Sequence, residues 1–398
     1  MRVLLVTPYY KPAHLGGIER AIERLAWALR AEPGIERRAV LTTHYAFPPR
    51  YVEGLAAHEV QRGGLEVFRL TCAPHRPAPL FPRYSCPATY FSPREIGHIL
   101  HTYKPDVLHF VGDGWIWAHL ALLARRSRHT ATVFTPSFHD LDGWRAPLRW
   151  PNILICRQVE RVVVLSKLEW RGVAEAYRPQ HSKLVRIPWG AAVPAQPAVG
   201  SVPGAPLTIL CVGRLGTHKG QLWLLDLYLQ AREHFSRPVR LVMVGADEGD
   251  AGGRAALQRQ IAEAGLDNEV VLTGEVDDDT LARWYSAADL FVLFSHYEAF
   301  GLVYVEAMAY GMPVLTHAVG ATTEILRSGA TVVPPYDRDA ALAALVRMVE
   351  DQRFRTSLGA EARRLVQNTY TWDVVARAYG QVYEEAIDER RRASRTAA

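Results

Sequence analysis

DLFVLFSHYEAFGLVYVEAMAYGMPVLTH, Asp289–His317, is the stretch that organises the chain. Leu290 to Phe294 is a short, aromatic and β-branched apolar run, which predicts a buried parallel strand. Ser295, His296 and Tyr297 break the run, and Glu298 follows on a loop at the strand's carboxyl end. From Gly301 the composition turns helical, with Leu302, Glu306, Ala307, Met308 and Ala309. Gly311 marks a helix end in a left-handed residue, Pro313 blocks continuation, and Val314 to Thr316 begin the next strand.

This order has a chemical consequence. Open parallel sheets bind ligands beyond the carboxyl ends of their strands. The amides of Phe300, Gly301 and Leu302 would sit at a helix N-terminus, where free N–H groups and the helix dipole attract phosphate. Gly301 has no side chain to hold the ligand off. Glu298 precedes the helix and Glu306 lies about two turns along it. Alone, each is an ordinary loop or surface carboxylate. Together they can contact two parts of one elongated ligand with phosphate between them, accepting hydrogen bonds from sugar hydroxyls. A nucleotide-sugar has that shape.

EAFGLVYVEAMAYGMPVL resembles the Glu-x7-Glu signature of the retaining family 4 glycosyltransferases. The Glu pair, the Phe-Gly, the Glu-Ala-Met-Ala and the Gly-x-Pro all match in register. The resemblance spans nearly the full chain and is strongest from 207 to 320. It implies the GT-B architecture: two doubly wound, Rossmann-like α/β domains facing each other across a cleft. The first, 1–189, would hold the acceptor. The second, 207–371, would hold the nucleotide-sugar, and a terminal helix, 372–388, would cross back onto the first. The strand–helix alternation by itself supports only the α/β class. Residues 190–206, GAAVPAQPAVGSVPGAP, are a linker by composition.

Along the first half, Arg2 to Thr7 predicts a strand and Ile18 to Leu29 a helix, with Gly16-Gly17 between them. A glycine pair is also simply a turn; the resemblance places this one beside the donor phosphates and the acceptor. KPDVLHF, 104–110, predicts a strand ending at His109, and Ala131 to Thr135 another that leads into Pro136-Ser137-Phe138-His139-Asp140. A histidine just past a parallel strand faces the crevice, and His139 resembles the family's active-site histidine near the transferred sugar. Residues 72–93, rich in proline and aromatics, are too irregular for an element; acceptor binding, membrane contact and a packed surface loop all fit.

In the second half, Leu207 to Val212 predicts a strand followed by GRLGTHKG, with Arg214 and Lys219 flanking a turn. Arg can fork onto phosphate oxygens, and Lys supplies a mobile point charge. On composition they are equally solvated bases at a helix start; VGRLGTHKG resembles the family's diphosphate clamp. Leu241 to Gly245 predicts a strand whose end, GADEG, turns into a helix from Ala251 to Ala264. Val270 to Thr273 leads to Glu275 and Val276, which the resemblance places in the nucleobase pocket. Asp277, Asp278 and Asp279 invite a metal reading, but they precede a helix and fit an N-terminal cap. Neither a metal nor a cofactor is expected.

With 398 residues, 49% hydrophobic and 22% charged, the chain is ordinary globular material for two domains. MRVLLVTPYY predicts a first strand and not a signal peptide. Cys72, Cys86, Cys156 and Cys211 have no paired spacing and are expected reduced, in a cytosolic protein. The net charge of +5 is concentrated at Arg125, Arg126, Arg128 and His129 and in a tail, Arg390, Arg391, Arg392 and Arg395. Solvated surface and a frayed tail are one reading; peripheral attraction to an anionic membrane is the other. No nucleic-acid recognition motif is present.

The expected reaction is transfer of a sugar from a UDP- or GDP-sugar to a glycan, lipid-linked or small-molecule hydroxyl, with retention and without metal. Arg214, Lys219 and the three amides would stabilise the leaving diphosphate. Glu298 would hold sugar hydroxyls, Glu306 the ribose, and His139 the donor sugar. A sugar-nucleotide epimerase or hydrolase of the same architecture, or a binding module, is the rival.

Overall fold

The computed structural model describes residues 1–12, 16–46, 50–71, 93–112, 129–136, 146–202 and 204–396. It separates into two compact units, one of Met1–Trp189 with Trp372–Ala398 and one of Gly190–Thr371. His139 and residues 72–92 lie outside the described residues, as do Arg125, Arg126 and Arg128.

The first unit contains β1 (Arg2–Val6), β2 (Arg37–Thr43), β3 (Tyr45–Ala46), β4 (Arg50–Tyr51), β5 (His58–Gln61), β6 (Leu65–Leu70), β7 (Val107–Val111), β8 (Ala131–Thr135), β9 (Arg161–Val164) and β10 (Leu184–Arg186). β3 and β4 pair with each other, and the rest form one sheet in the order β10-β9-β8-β7-β1-β2-β6-β5. Every pairing in that sheet is parallel except β5 with β6. Central strands read VLHFV and ATVFT and are buried along their whole length, as a sheet covered on both faces requires. The helix Gly17–Ala28 buries Ala21, Ile22, Leu25 and Ala26, the stripe that a 3.6-residue period produces.

β7 runs past the predicted end at His109 to Val111, so His109 is a mid-strand core residue. Its Nδ1 meets Tyr383 Oη at 2.8 Å and its Nε2 meets Thr135 Oγ1 at 2.8 Å. Burial pushes its pKa down to about 3. Tyr383 comes from the last helix, Trp372–Thr396, which belongs to this unit and also buries Val375, Ala376 and Tyr379. Of the basic tail, Arg391, Arg392 and Arg395 are exposed, in keeping with a solvated surface, but the segment is helical and Arg390 is held. Arg390 Nη2 reaches the buried Glu160 Oε1 at 2.9 Å, and Glu160 Oε2 accepts from Thr132 N–H at 2.7 Å. A charge with a buried partner stays on the helix instead of in solvent.

The second unit contains β11 (Leu207–Val212), β12 (Val239–Val244), β13 (Val270–Gly274), β14 (Leu290–Val292), β15 (Val314–His317) and β16 (Ala330–Val333). They form a parallel sheet in the order β13-β12-β11-β14-β15-β16. The chain leaves β11 toward β12 and β13, then returns to the other side of β11 as β14. The loops after β11 and β14 therefore diverge from adjacent strand ends, the place where doubly wound sheets open a crevice. Residues 190–206 are bound to this unit rather than free. Ala198 N–H donates to Tyr310 O at 2.6 Å and Val199 N–H to Ser286 O at 2.8 Å. Asp289 draws in Ser201 N–H at 3.1 Å and Thr208 N–H at 2.7 Å. Cys156 and Cys211 are buried and not joined in a disulfide. Among the described residues no helix is long and apolar enough to cross a membrane.

Candidate functional site

The adjacent ends of β11 and β14 carry the charged centre. After β11, a short 3-10 turn, Thr217–Lys219, presents Lys219, and Gly220 follows at φ +68°. A Cβ on Gly220 would fall 2.1 Å from Phe294 O, so only glycine lets the two loops touch. Lys219 Nζ then reaches Glu298 Oε1 at 2.5 Å. Ser295 Oγ donates to the same oxygen at 2.9 Å. Glu298 is 8% exposed, so its charge is matched by a hydrogen-bonded cation rather than by bulk water.

The backbone of this loop is held from three sides. His296 N–H donates to His218 O at 2.8 Å and Ala321 N–H to Glu298 O at 2.8 Å. His317, at the end of β15, donates from Nε2 to Ser295 O at 2.7 Å, since a carbonyl can only accept. Its Nδ1 faces Tyr336 N–H at 3.5 Å. Burial lowers the His317 pKa, which keeps the imidazole in the neutral form this pattern needs.

The helix expected after Glu298 spans Leu302–Ala309, with Gly301 as its N-cap at φ 81°, ψ 59°. This left-handed geometry is one glycine adopts at little cost. Among the hydrogen bonds of the described residues, the amides of Phe300, Gly301 and Leu302 have no acceptor. Gly311 at φ 76° ends the segment as expected. Glu306, on the same helix, accepts from Tyr285 Oη at 3.1 Å.

Arg214, in the loop after β11, pairs with Glu248 Oε1 at 2.5 Å, and His218 Nδ1 meets Glu248 Oε2 at 2.9 Å. Burial works to raise the Glu248 pKa, but the His218 hydrogen bond and the Arg214 charge outweigh it and hold the carboxyl below its ordinary value. Glu248 is a residue the sequence reading missed. Its signal was the three acids in GADEGD, at a strand end in the half that carries the basic loop.

Glu275 is exposed and Val276 half-buried; they follow β13, two strands from β11. Asp277 caps the next helix, accepting from Thr280 N–H at 2.6 Å, in keeping with a cap rather than a ligand. Gly16 and Gly17 belong to the first unit, where Gly16 is the N-cap of the helix Gly17–Ala28. The structure thus brings together Lys219, Glu298 and the Phe300–Leu302 amides, with Arg214 on the same loop as Lys219.

Both halves of the chain match known proteins. Residues 194–365 match the model for glycosyl transferases group 1, and residues 16–190 that for a glycosyl transferase 4-like domain. A D-inositol 3-phosphate glycosyltransferase of Xylanimonas cellulosilytica is 34% identical over 46% of this chain and 43% of its own. The MMP alpha-(1->4)-mannosyltransferase of Mycolicibacterium hassiacum is 29% identical over 65% of each chain. The chain spans about half the length of the curated relatives it matches. Among solved structures, sucrose-phosphate synthase from Thermosynechococcus elongatus superposes with a TM-score of 0.77 at 23% identity, covering 98% of this chain and 99% of that one. Anabaena HepE in complex with UDP and glucose gives 0.70 at 19% identity, covering 96% and 99%. Residues 194–365 thus carry a glycosyl transferases group 1 domain and residues 16–190 a glycosyl transferase 4-like domain, in a GT-B fold of two parallel-sheet, Rossmann-like domains.

Proposed function

We propose that the protein transfers a sugar from a nucleotide-sugar to an acceptor hydroxyl, with retention at the anomeric carbon and without metal. The observation that carries this reading is the Lys219–Glu298 contact between adjacent strand ends, beside a helix whose leading amides have no acceptor among the described residues. In an oxocarbenium-like transition state, the leaving diphosphate gains negative charge. Lys219, Arg214 and the amides of Phe300, Gly301 and Leu302 stabilise that charge. Preorganised donors of this kind are worth around 3 kcal/mol each. Glu298 holds donor-sugar hydroxyls, Glu306 the ribose, and Glu275 and Val276 the base. His139 meets the donor sugar near the reacting carbon, and Gly16-Gly17 border the phosphates. The leaving phosphate takes the acceptor proton on the same face that the acceptor attacks. These donors do the work a divalent ion does elsewhere, which supports the metal-free reading. Acceptors of glycan, lipid-linked or small-molecule type suit the proposal, on the cytoplasmic side and with peripheral contact to an anionic membrane.

The test is mass-spectrometric product analysis with a panel of UDP- and GDP-sugars, with and without a lipid-extract acceptor and with and without EDTA. Release of one nucleotide that depends on acceptor, resists EDTA and accompanies a sugar-sized mass gain is expected. Donor conversion without acceptor would replace the proposal with an epimerase or hydrolase. Nucleotide binding without turnover under every condition would replace it with a binding module. A trapped glycosyl-enzyme adduct would overturn the front-face step.

A further inference from the structure

Behind the basic loop lies a second, acidic one, and the two are laced together. Leu215 N–H donates to Ala246 O at 2.7 Å, and Glu248 N–H donates to Leu215 O at 3.0 Å. Thr217 N–H donates to the two carboxylate oxygens of Asp250 at 3.2 and 2.9 Å. Two glycines permit the approach. A Cβ on Gly216 would stand 2.2 Å from Glu248 Oε2, and one on Gly252 would stand 2.5 Å from the Thr217 backbone.

The lacing delivers one carboxylate to two basic side chains, the Arg214 guanidinium at 2.5 Å and the His218 imidazole at 2.9 Å. The exposures give the direction. The Glu248 side chain is 19% exposed, against 41% for Arg214 and 44% for His218. The acid is inside and the bases are outside. A carboxylate that plugged the clamp would be the more exposed partner and would cover the guanidinium. Glu248 instead grips Arg214 from behind through Nη1, one corner of a rigid five-donor fork. Because an ionised carboxylate only accepts, His218 must present Nδ1–H to it, which also fixes the imidazole's orientation.

We propose that Glu248 is a positioning residue for diphosphate recognition. It holds Arg214, with His218 bracing the same carboxylate, so that the guanidinium meets the pair of phosphates already ordered. An exposed arginine without such a partner loses its rotamer freedom at each binding event, and affinity falls by that cost. The inference rests on the nucleotide-sugar reading given above and deepens it.

The test is calorimetric titration of the wild type, Glu248→Ala and Glu248→Gln with UDP, GDP, ADP and dTDP and with the matching monophosphates. Wild type should bind one diphosphate more tightly than its monophosphate. Glu248→Ala should weaken that diphosphate on the order of tenfold while the monophosphate changes by no more than about twofold. Glu248→Gln keeps the length and one acceptor oxygen, and should fall between the two. An alanine variant that binds the diphosphate as well as wild type, or better, overturns the inference, and so does equal loss of mono- and diphosphate. Should circular dichroism show the alanine variant unfolded, the glutamine variant decides: an unchanged diphosphate-to-monophosphate ratio overturns the inference. A wild type that binds no nucleotide sinks the nucleotide-sugar reading itself, and this inference with it.

Discussion

The two parallel sheets keep their polar residues in different places. The first buries them along its strands. His109 lies in the middle of β7 between Thr135 and Tyr383. Arg69 lies in β6, where it donates to Ala56 O at 3.1 Å and Lys11 O at 2.9 Å and pairs with Glu59 at 2.9 Å. The second sheet holds its charged pairs beyond the strand ends: Lys219 with Glu298, and Arg214 with Glu248. A polar group locked among protein partners inside a sheet supports the fold. A cation at a strand end, paired with an acid on the next loop, can exchange that partner for a ligand. Burial by itself does not separate the two, since His109 and Glu298 are both buried. Position along the strand does.

The largest effect should come from breaking a strand-end pair. Lys219→Ala is expected to cost about 2–5 kcal/mol in donor interaction, as for the truncation of one partner of a desolvated charge pair. Turnover at subsaturating donor measures it, and an unchanged rate would erase the distinction drawn between the sheets. Glu298→Ala should lower turnover with little change in free-nucleotide affinity; equal loss of nucleotide binding would mean that Glu298 and Glu306 have exchanged roles.

The mid-strand histidine should show itself in stability instead. His109 is held near a pKa of about 3, below the ordinary histidine value of 6.5. A depressed folded pKa contributes stability that is complete above 6.5. As pH falls from 6.5 toward 3, the unfolded chain takes up a proton that the folded chain refuses. Denaturant titrations should therefore lose about 1.4 kcal/mol per pH unit through this window from His109 alone. His109→Phe should flatten that slope by one proton while being less stable at pH 8, because Thr135 and Tyr383 lose their partner. A slope identical to wild type would mean that the imidazole is not the group refusing the proton.

Ser295→Ala sharpens the comparison at its smallest scale. It removes one donor to Glu298 and leaves Lys219 in place, so about 1 kcal/mol, roughly fivefold in turnover, is expected. A drop in melting temperature with no kinetic change would move Ser295 into the group that supports the fold.

Much of the second sheet was legible because its strands are continuous apolar runs with glycine and proline punctuation. Leu207–Val212 has the expected bounds, and the Gly301 start and Gly311 end of the helix sit where the composition put them. Lys219 and Glu298 stand out in the sequence through the resemblance their motifs carry, and the structure sets them 2.5 Å apart. What escaped depended on contacts between distant segments. The run ending in His109 looked complete at the histidine, since a polar residue closes an apolar pattern; only Thr135 and Tyr383, far along the chain, make its burial affordable. Arg390 looked like part of a frayed basic tail because its partner, Glu160, is more than 200 residues away. The 190–206 stretch reads as a linker by composition, and its bonds to Asp289, Tyr310 and Ser286 run through backbone groups that composition does not report. Glu248 escaped for a related reason: acids after a strand resemble a turn until the basic loop is laid against them.

The chain leaves the first unit after Trp189 and returns at Trp372, and Ala191 bridges to Thr371 at that crossing. This interruption has a consequence for the order in which the molecule matures during synthesis. Everything the second unit needs, Gly190–Thr371, has been made before the last helix is translated. The first unit, begun earlier, must wait: Tyr379 and Tyr383 are made only after the whole of the second unit, yet they close over His109 and Trp189. The amino-terminal domain therefore does not have all its residues when it leaves the ribosome, although domains generally fold as units in order of synthesis. A chain cut before residue 372 would hold every residue of the second unit and leave His109 and Trp189 without Tyr379 and Tyr383.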